Sequence, residues 1–311
     1  MLRIEPVFSK HPAVVKLLAL ILIILFSTFI SFFVGVLLAV PFYGKGILDI
    51  LSGGLDLVDT GEVNLMKFFQ MVSQVGIFIF PSLFFAWLSY GNIEKSLSLN
   101  KFPTFQTFIM TVILVFTMLP GIHFLIQFNE SLQMPEILSG VEKWMLEKEN
   151  EAMRLTDTFL NTTSPGGLAI NLMMIGVLAS IGEELLFRSV LIRLLQEWFK
   201  NKHAAVIVSS VIFSAFHLQF YGFLPRFVLG LVFGYLFIWS GSVWLPIAAH
   251  FLNNGSAVVI SFLSNKRILG TNAEDFGSVE NLPLLLASII LTMAILAGIN
   301  LREKQLNLRN Q

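Results

Sequence analysis

Long unbroken apolar runs dominate the chain, divided by short Gly-rich or polar breaks. A helix needs about 20 mostly apolar residues to cross a bilayer core. Eight runs approach or exceed that length: 13–40, 66–90, 105–127, 167–198, 203–219, 224–240, 244–263 and 282–300. The fifth and sixth lie near the lower limit. The runs are continuous rather than alternating, which argues against the strands of a membrane barrel. Helices also satisfy their backbone groups internally, which isolated strands in lipid cannot do. The pattern therefore predicts an all-α fold, a polytopic transmembrane bundle of about eight spans. No internal repeat is visible of the kind that builds transporters from related halves.

The breaks differ in character. Residues 41–65 are acidic, with Asp49, Asp56, Asp59 and Glu62, and residues 129–165 form the longest polar stretch. Within the latter, Pro135–Leu160 has helical spacing and mixed charge, including Glu142, Lys143, Glu147, Lys148 and Arg154. It reads as a solvated or interfacial helix, serving either as a spacer or as a lid or substrate-recognition element. Residues 264–281 form the last sizeable loop. Eight spans put both termini on one side. Arg3, Lys10 and Lys16, then Arg193, Lys200 and Lys202, then Arg302, Lys304 and Arg309 flank that side, against Lys266 and Arg267 on the other. The positive-inside rule then places both termini in the cytoplasm.

Composition agrees with lipid as the solvent. Of 311 residues 55% are apolar and 13% charged, with 31 Phe, about half the charge of an ordinary soluble domain. Net charge is zero, so the basic excess expected of a nucleic-acid-binding chain is missing. There are no cysteines, which excludes disulfides, thiolate catalysis and cysteine metal sites. The first apolar run is too long for a signal-peptide core and lacks a clear cleavage site, so it reads as the first span.

Ionisable groups inside apolar runs are the informative ones, because a charge at mid-membrane costs about 2.5–3.5 kcal/mol on insertion scales. Between Pro165 and Ser264 the only acids are Glu183, Glu184 and Glu197. Glu197 ends a run beside Lys200 and reads as interface. Glu184 and Arg188 stand at i and i+4, the spacing of a same-face pair. Glu183 points about 100° away from its neighbour on a regular helix and needs a partner from elsewhere. Of the five histidines, His11 and His203 lie near polar flanks, and His123 near the end of the third run reads as structural. His217, in Phe213-Ser-Ala-Phe-His217, and His250, at i to Asn254 at i+4, lie in apolar surroundings. Glutamate with histidine can take a proton from water, and histidine with asparagine can donate hydrogen bonds to an oxyanion. These are parts of a hydrolase that attacks an amide with activated water. No G-x-S-x-G nucleophile context is present, nor a His-Glu-x-x-His zinc motif. The structural alternatives are a buried Glu–Arg ion pair and a His/Asn pair that merely joins helices, the latter worth about 0.6 kcal/mol.

The ordered set Glu183-Glu184-x-x-x-Arg188, Phe213-x-x-x-His217 and His250-x-x-x-Asn254 resembles the three motifs of the CPBP family, the CAAX protease and bacteriocin-processing (Abi) family. The resemblance covers about residues 167–264. It implies an intramembrane glutamate-dependent endopeptidase in which Glu183 and His217 activate water, His250 and Asn254 stabilise the oxyanion, and Glu184 and Arg188 support the site. Family members are often described as metalloproteases. One carboxylate and two histidines could hold a divalent metal such as zinc, but the same groups also work without one, and the metal-free reading is preferred. The implied partners are the lipid bilayer and a membrane-associated peptide or protein substrate, prenylated in one branch of the family, with no nucleic acid. The implied location is the plasma membrane of a bacterial-type cell. The chain then divides into N-terminal helices with polar loops (1–165), a catalytic core (166–264) and a last span with a cytoplasmic tail (265–311). Two other functions compete with proteolysis: a non-proteolytic scaffold or bacteriocin-immunity factor, and a proton-coupled transporter with Glu183 and the histidines as a relay.

Overall fold

The computed structural model describes residues 5–44, 47, 60–132, 134–269, 276–279 and 281–309. Asp49, Asp56, Asp59 and Arg3 lie outside the described residues. Every regular element among the described residues is a helix. In chain order the longer ones are α1 (Ala13–Tyr43), α2 (Gly61–Tyr90), α3 (Phe105–Glu130), α4 (Ser139–Leu160), α5 (Pro165–Phe199), α6 (Lys202–Phe216), α7 (Phe223–Ser240), α8 (Trp244–Asn265) and α9 (Leu282–Arg309). Seven of these are long and apolar enough to cross a membrane, making the chain an integral, multi-pass protein by length and composition. The remaining expected run, 203–219, folds as the 15-residue α6.

Local sequence sets the helix ends. Thr104, Ser164 and Asn201 accept backbone N–H groups of Thr107, Gly167, and His203 with Ala204, capping α3, α5 and α6. These side-chain oxygens replace the intrahelical partner that first-turn N–H groups lack. Pro165 occupies the first turn of α5, where its missing N–H costs nothing. Lys200 and Gly241 leave α5 and α7 in left-handed conformation.

Lipid and protein share out the apolar surface. In α1 and α9 only 11% of the most apolar window is buried inside the protein, against 61% in α5. Leu22, Leu25, Phe26 and Leu37 of α1 are accordingly exposed, as is usual for residues solvated by acyl chains. α5 is the central post. One core joins it to α1, α2, α6 and α7 through Leu20, Phe85, Phe187, Leu194, Val206 and Phe237. A second joins α3, α7, α8 and α9 through Leu114, Phe233, Leu236, Leu245 and Ile299.

Polar contacts give the direction of each helix. Lys16 near the start of α1 donates to Glu197 near the end of α5, and Tyr90 at the end of α2 donates to the same carboxylate. Glu197 is thus an inter-helix anchor rather than a simple interface charge. On the same face, Thr107 near the start of α3 donates to Glu303, and Asn307, also near the end of α9, donates to Trp239 O of α7. On the other face, Asn129 of α3 donates to Phe220 O, and Asn265 of α8 to Leu160 O of α4. The start of α1 and the end of α9 therefore share one face. α6 runs between the same two faces as its neighbours, although 15 residues rise only about 22 Å, less than the roughly 30 Å of a bilayer core. The irregular backbone after its C-terminal end bonds to Glu149 of α4 and Asn129 of α3, so it is not left unsatisfied in lipid.

α6 and α7 approach closely at Gly230 and Gly234. A Cβ on Gly234 would lie 2.8 Å from Val206 Cγ1, and one on Gly230 3.0 Å from Ser210 Cβ. Small residues four apart let two backbones meet where no hydrophobic force drives helices together. Gly234→Leu is expected to destabilise the protein by about 1–3 kcal/mol through overpacking, read as a lowered unfolding midpoint in detergent. An unchanged midpoint would show that α6 and α7 separate without cost.

Candidate active site

α5 carries the acids, but not as a regular α-helix. Its segments Leu172–Leu178 and Glu184–Ile192 are π-helical. Such segments are frequent at functional sites. The second begins at Glu184, directly after Glu183.

Both reach one imidazole. His250 of α8 is 4% exposed, and its Nδ1 lies 2.8 Å from Glu184 Oε1 while its Nε2 lies 3.9 Å from Glu183 Oε2. An ionised carboxylate only accepts hydrogen bonds, so Nδ1–H donates to Glu184 and Nε2 is turned toward Glu183. Glu184 also meets Arg188 Nε at 2.9 Å through Oε2. Glu184 and Arg188 are fully buried, at 0% and 1% exposure, so only close pairing can offset their desolvation. The guanidinium is sandwiched by Phe213 and Phe233, with Cζ 4.4 and 5.5 Å from the ring centroids. Phe233 also stacks on His250 at 5.2 Å, and Phe213 meets His250 edge-on. The expected i,i+4 pair is therefore present. Glu184, expected on a separate face, also holds His250.

His217 caps the C-terminus of α6, and its Nδ1 donates to Phe213 O at 2.9 Å. That bond leaves Nε2 as the basic nitrogen. Both His217 and His250 lie against the Phe213 ring, and His217 is within electrostatic reach of Glu183 and His250. Asn254 has another attachment: Nδ2 donates to Ile175 O in the first π-segment of α5, and Oδ1 accepts from Asn253. One Nδ2 hydrogen is left over from the Ile175 bond. The structure thus brings Glu183, Glu184, Arg188 and His250 into one cluster, sets His217 at its edge and uses Asn254 to tie α8 to α5.

Two features escaped the sequence reading. Gln74 of α2 is 7% exposed with its Oε1 unpartnered among the described residues. Its backbone carbonyl lies beside Gly182, the residue before Glu183. The available signal was an amide inside an apolar run. The second is the place of α4. Glu149 accepts from Tyr221 N and Gln219 Nε2, and Trp144 packs on Phe220. α4 therefore lies across the connection that follows His217. A lateral groove of about 610 Å³, lined by Phe105, Ser180, Ile181, Trp244, Ile247 and Phe251, opens one turn from Glu184 and His250.

Among the described residues, no three His, Asp or Glu side chains converge in a way that could hold a metal ion. The Nδ1 bonds of His250 to Glu184 and of His217 to a carbonyl leave both Nε2 atoms open, the pattern of a metal-ligating imidazole, so those bonds do not themselves exclude a metal. Only the spacing of these groups, among the described residues, falls short of a zinc centre.

A carboxylate–imidazole cluster is thus buried at the centre of a multi-span helical bundle. Residues 165–256 match the model of the family described as type II CAAX prenyl endopeptidase Rce1-like. The resemblance drawn from the motifs holds over that segment, which contains all six candidate residues from Glu183 to Asn254. No curated protein and no solved structure matches the chain.

Proposed function

We propose that the protein is an intramembrane endopeptidase of the CAAX protease type that cleaves a membrane-associated peptide or protein with activated water. One observation carries this reading: Glu183 Oε2 is buried, has no hydrogen-bond partner among the described residues and faces His250 Nε2 at 3.9 Å. That spacing accommodates a water molecule set to one side of the line between the two atoms, within hydrogen-bonding distance of both. Glu183, assisted by His217, takes a proton as the water oxygen bonds to the scissile carbonyl carbon. His250, whose Nδ1–H is given to Glu184, holds the attacking water through Nε2, and the tetrahedral oxyanion is met by the remaining Nδ2 hydrogen of Asn254. Its collapse breaks the C–N bond, and the proton held by Glu183 passes to the leaving amine. Glu184 and Arg188 act as positioning residues, since Glu184 sets the tautomer and angle of His250. The apolar groove beside α5 and α8 suits a substrate that approaches from the lipid, whether prenylated or carrying an apolar segment.

The basic flanks on the terminal face support a cytoplasmic placement of both termini in a bacterial-type plasma membrane. α4, seated over the connection after His217, supports the lid reading of this helix.

The test is reconstitution of the purified chain in liposomes with membrane-tethered peptides, prenylated and not, and mass spectrometry of the products. A new peptide terminus is expected, and cleavage should persist in the presence of a chelator because no three-ligand set converges among the described residues. Absence of cleavage across the panel would sink the proposal, and loss on chelation that zinc restores would overturn its metal-free form.

A further inference from the structure

We propose that the protein holds one anionic phospholipid on the face of α7 and α9, away from the catalytic cluster. Its phosphate head lies among Lys202, His203 and Lys304, and its acyl chains lie between α3, α7 and α9.

Two cavities meet there. The first, of about 460 Å³, sits at the face that carries both termini and is lined by Lys202, His203, Trp239, Asn300, Lys304 and Asn307. No acidic side chain lines it among the described residues. Glu303, on the same helix, is buried and accepts from Thr107 instead. Lys101 adds a further cation at the rim, since its Nζ donates to Asn307 Oδ1. Lys202 and Lys304 make no ion pair among the described residues, so their charge is available to an anion. The second cavity, of about 650 Å³, runs along the membrane-spanning part of the same helices. Its walls include Leu231, Tyr235, Ile289, Met293 and Leu296.

The two are joined end to end. Trp239 lines both. Tyr235 lines the apolar one and its hydroxyl lies 3.1 Å from Nδ1 of His203, which lines the polar one. A cationic pocket at the membrane surface that continues into an apolar groove has the charge and polarity profile of an anionic phospholipid. Trp and Tyr at the junction suit the headgroup level, and lysines near the surface attract anionic lipid. A free phosphate would use only the upper half, so the lower half commits the site to a lipid. None of the residues proposed for catalysis lines either cavity, so this proposal stands or falls independently of the protease reading.

The test uses the full chain purified in detergent and exchanged against equal amounts of phosphatidylglycerol and phosphatidylcholine of matched acyl length, with bound lipid counted by native mass spectrometry. The wild type is expected to retain one phosphatidylglycerol in preference. Lys202→Gln with Lys304→Gln should lower that retention at least about fivefold without altering the unfolding midpoint in phosphatidylcholine, because both side chains are exposed. Ala297→Phe, in the wall of the groove, should lower lipid retention with the lysines intact. Equal retention of the two lipids by the wild type, or undiminished preference in the double variant, would overturn the proposal. Displacement of the lipid by soluble glycerol phosphate would overturn it as well, by making the site one for a free anion.

Discussion

Glu183→Gln is expected to lower peptide cleavage by about 10²–10⁴-fold, the usual contribution of a general base, while the protein folds and inserts as before. The amide is nearly the same shape as the carboxylate but cannot take a proton from water. Glu183 is well suited to show this separation of activity from stability. Its Oε2 is unpartnered among the described residues and its nearest cation-capable neighbour, His250 Nε2, is 3.9 Å away. Neutralising it therefore breaks no close ion pair. Measurement is of turnover on a membrane-tethered peptide beside the unfolding midpoint of the same sample. Full turnover in a correctly folded variant would remove Glu183 from the mechanism, and the biological effect persisting in that variant would favour a scaffold or immunity role.

The adjacent carboxylate should behave in the opposite way. Glu184→Ala or Arg188→Ala is expected to cost about 3–5 kcal/mol of stability, because either change leaves an uncompensated charge buried in an apolar core. Glu184 sits between Arg188 Nε at 2.9 Å and His250 Nδ1 at 2.8 Å. Its loss also releases the imidazole. The combined variant Glu184→Gln with Arg188→Met removes both charges and should recover most of the stability, yet stay poorly active. An imidazole without its orienting carboxylate loses the required tautomer and angle, with large losses of rate. Thermal unfolding of Glu184→Gln, Arg188→Met, the pair of them and the wild type closes a double-mutant cycle. Additive losses in that cycle would mean that the two residues do not act as a pair.

These two predictions could not both be read from the chain. A regular helix places Glu183 and Glu184 on different faces, which is why the sequence reading set them to different tasks. The spacing of Glu184 and Arg188 did specify their pairing, because neighbours at i and i+4 meet on any helix face. What spacing did not contain was the second bond of Glu184. His250 lies 66 residues further on, on another helix. Asn254 shows the same limit. Its alignment with His250 was legible, but its bond to Ile175 O required two helices to be set side by side.

The sequence by itself determined the membrane setting, the all-helical class, the approximate positions of the spans and the identities of the ionisable residues that lipid would not tolerate alone. These follow from composition and local spacing, because backbone groups in lipid must be satisfied within the helix and a buried charge needs a partner. The tertiary structure alone decided the partners. It showed that Glu197 anchors Lys16 and Tyr90, that α4 lies over the connection after His217, and that one imidazole is held between two adjacent carboxylates. Each depends on contacts between residues far apart in the chain, and local periodicity carries no information about which helix faces meet.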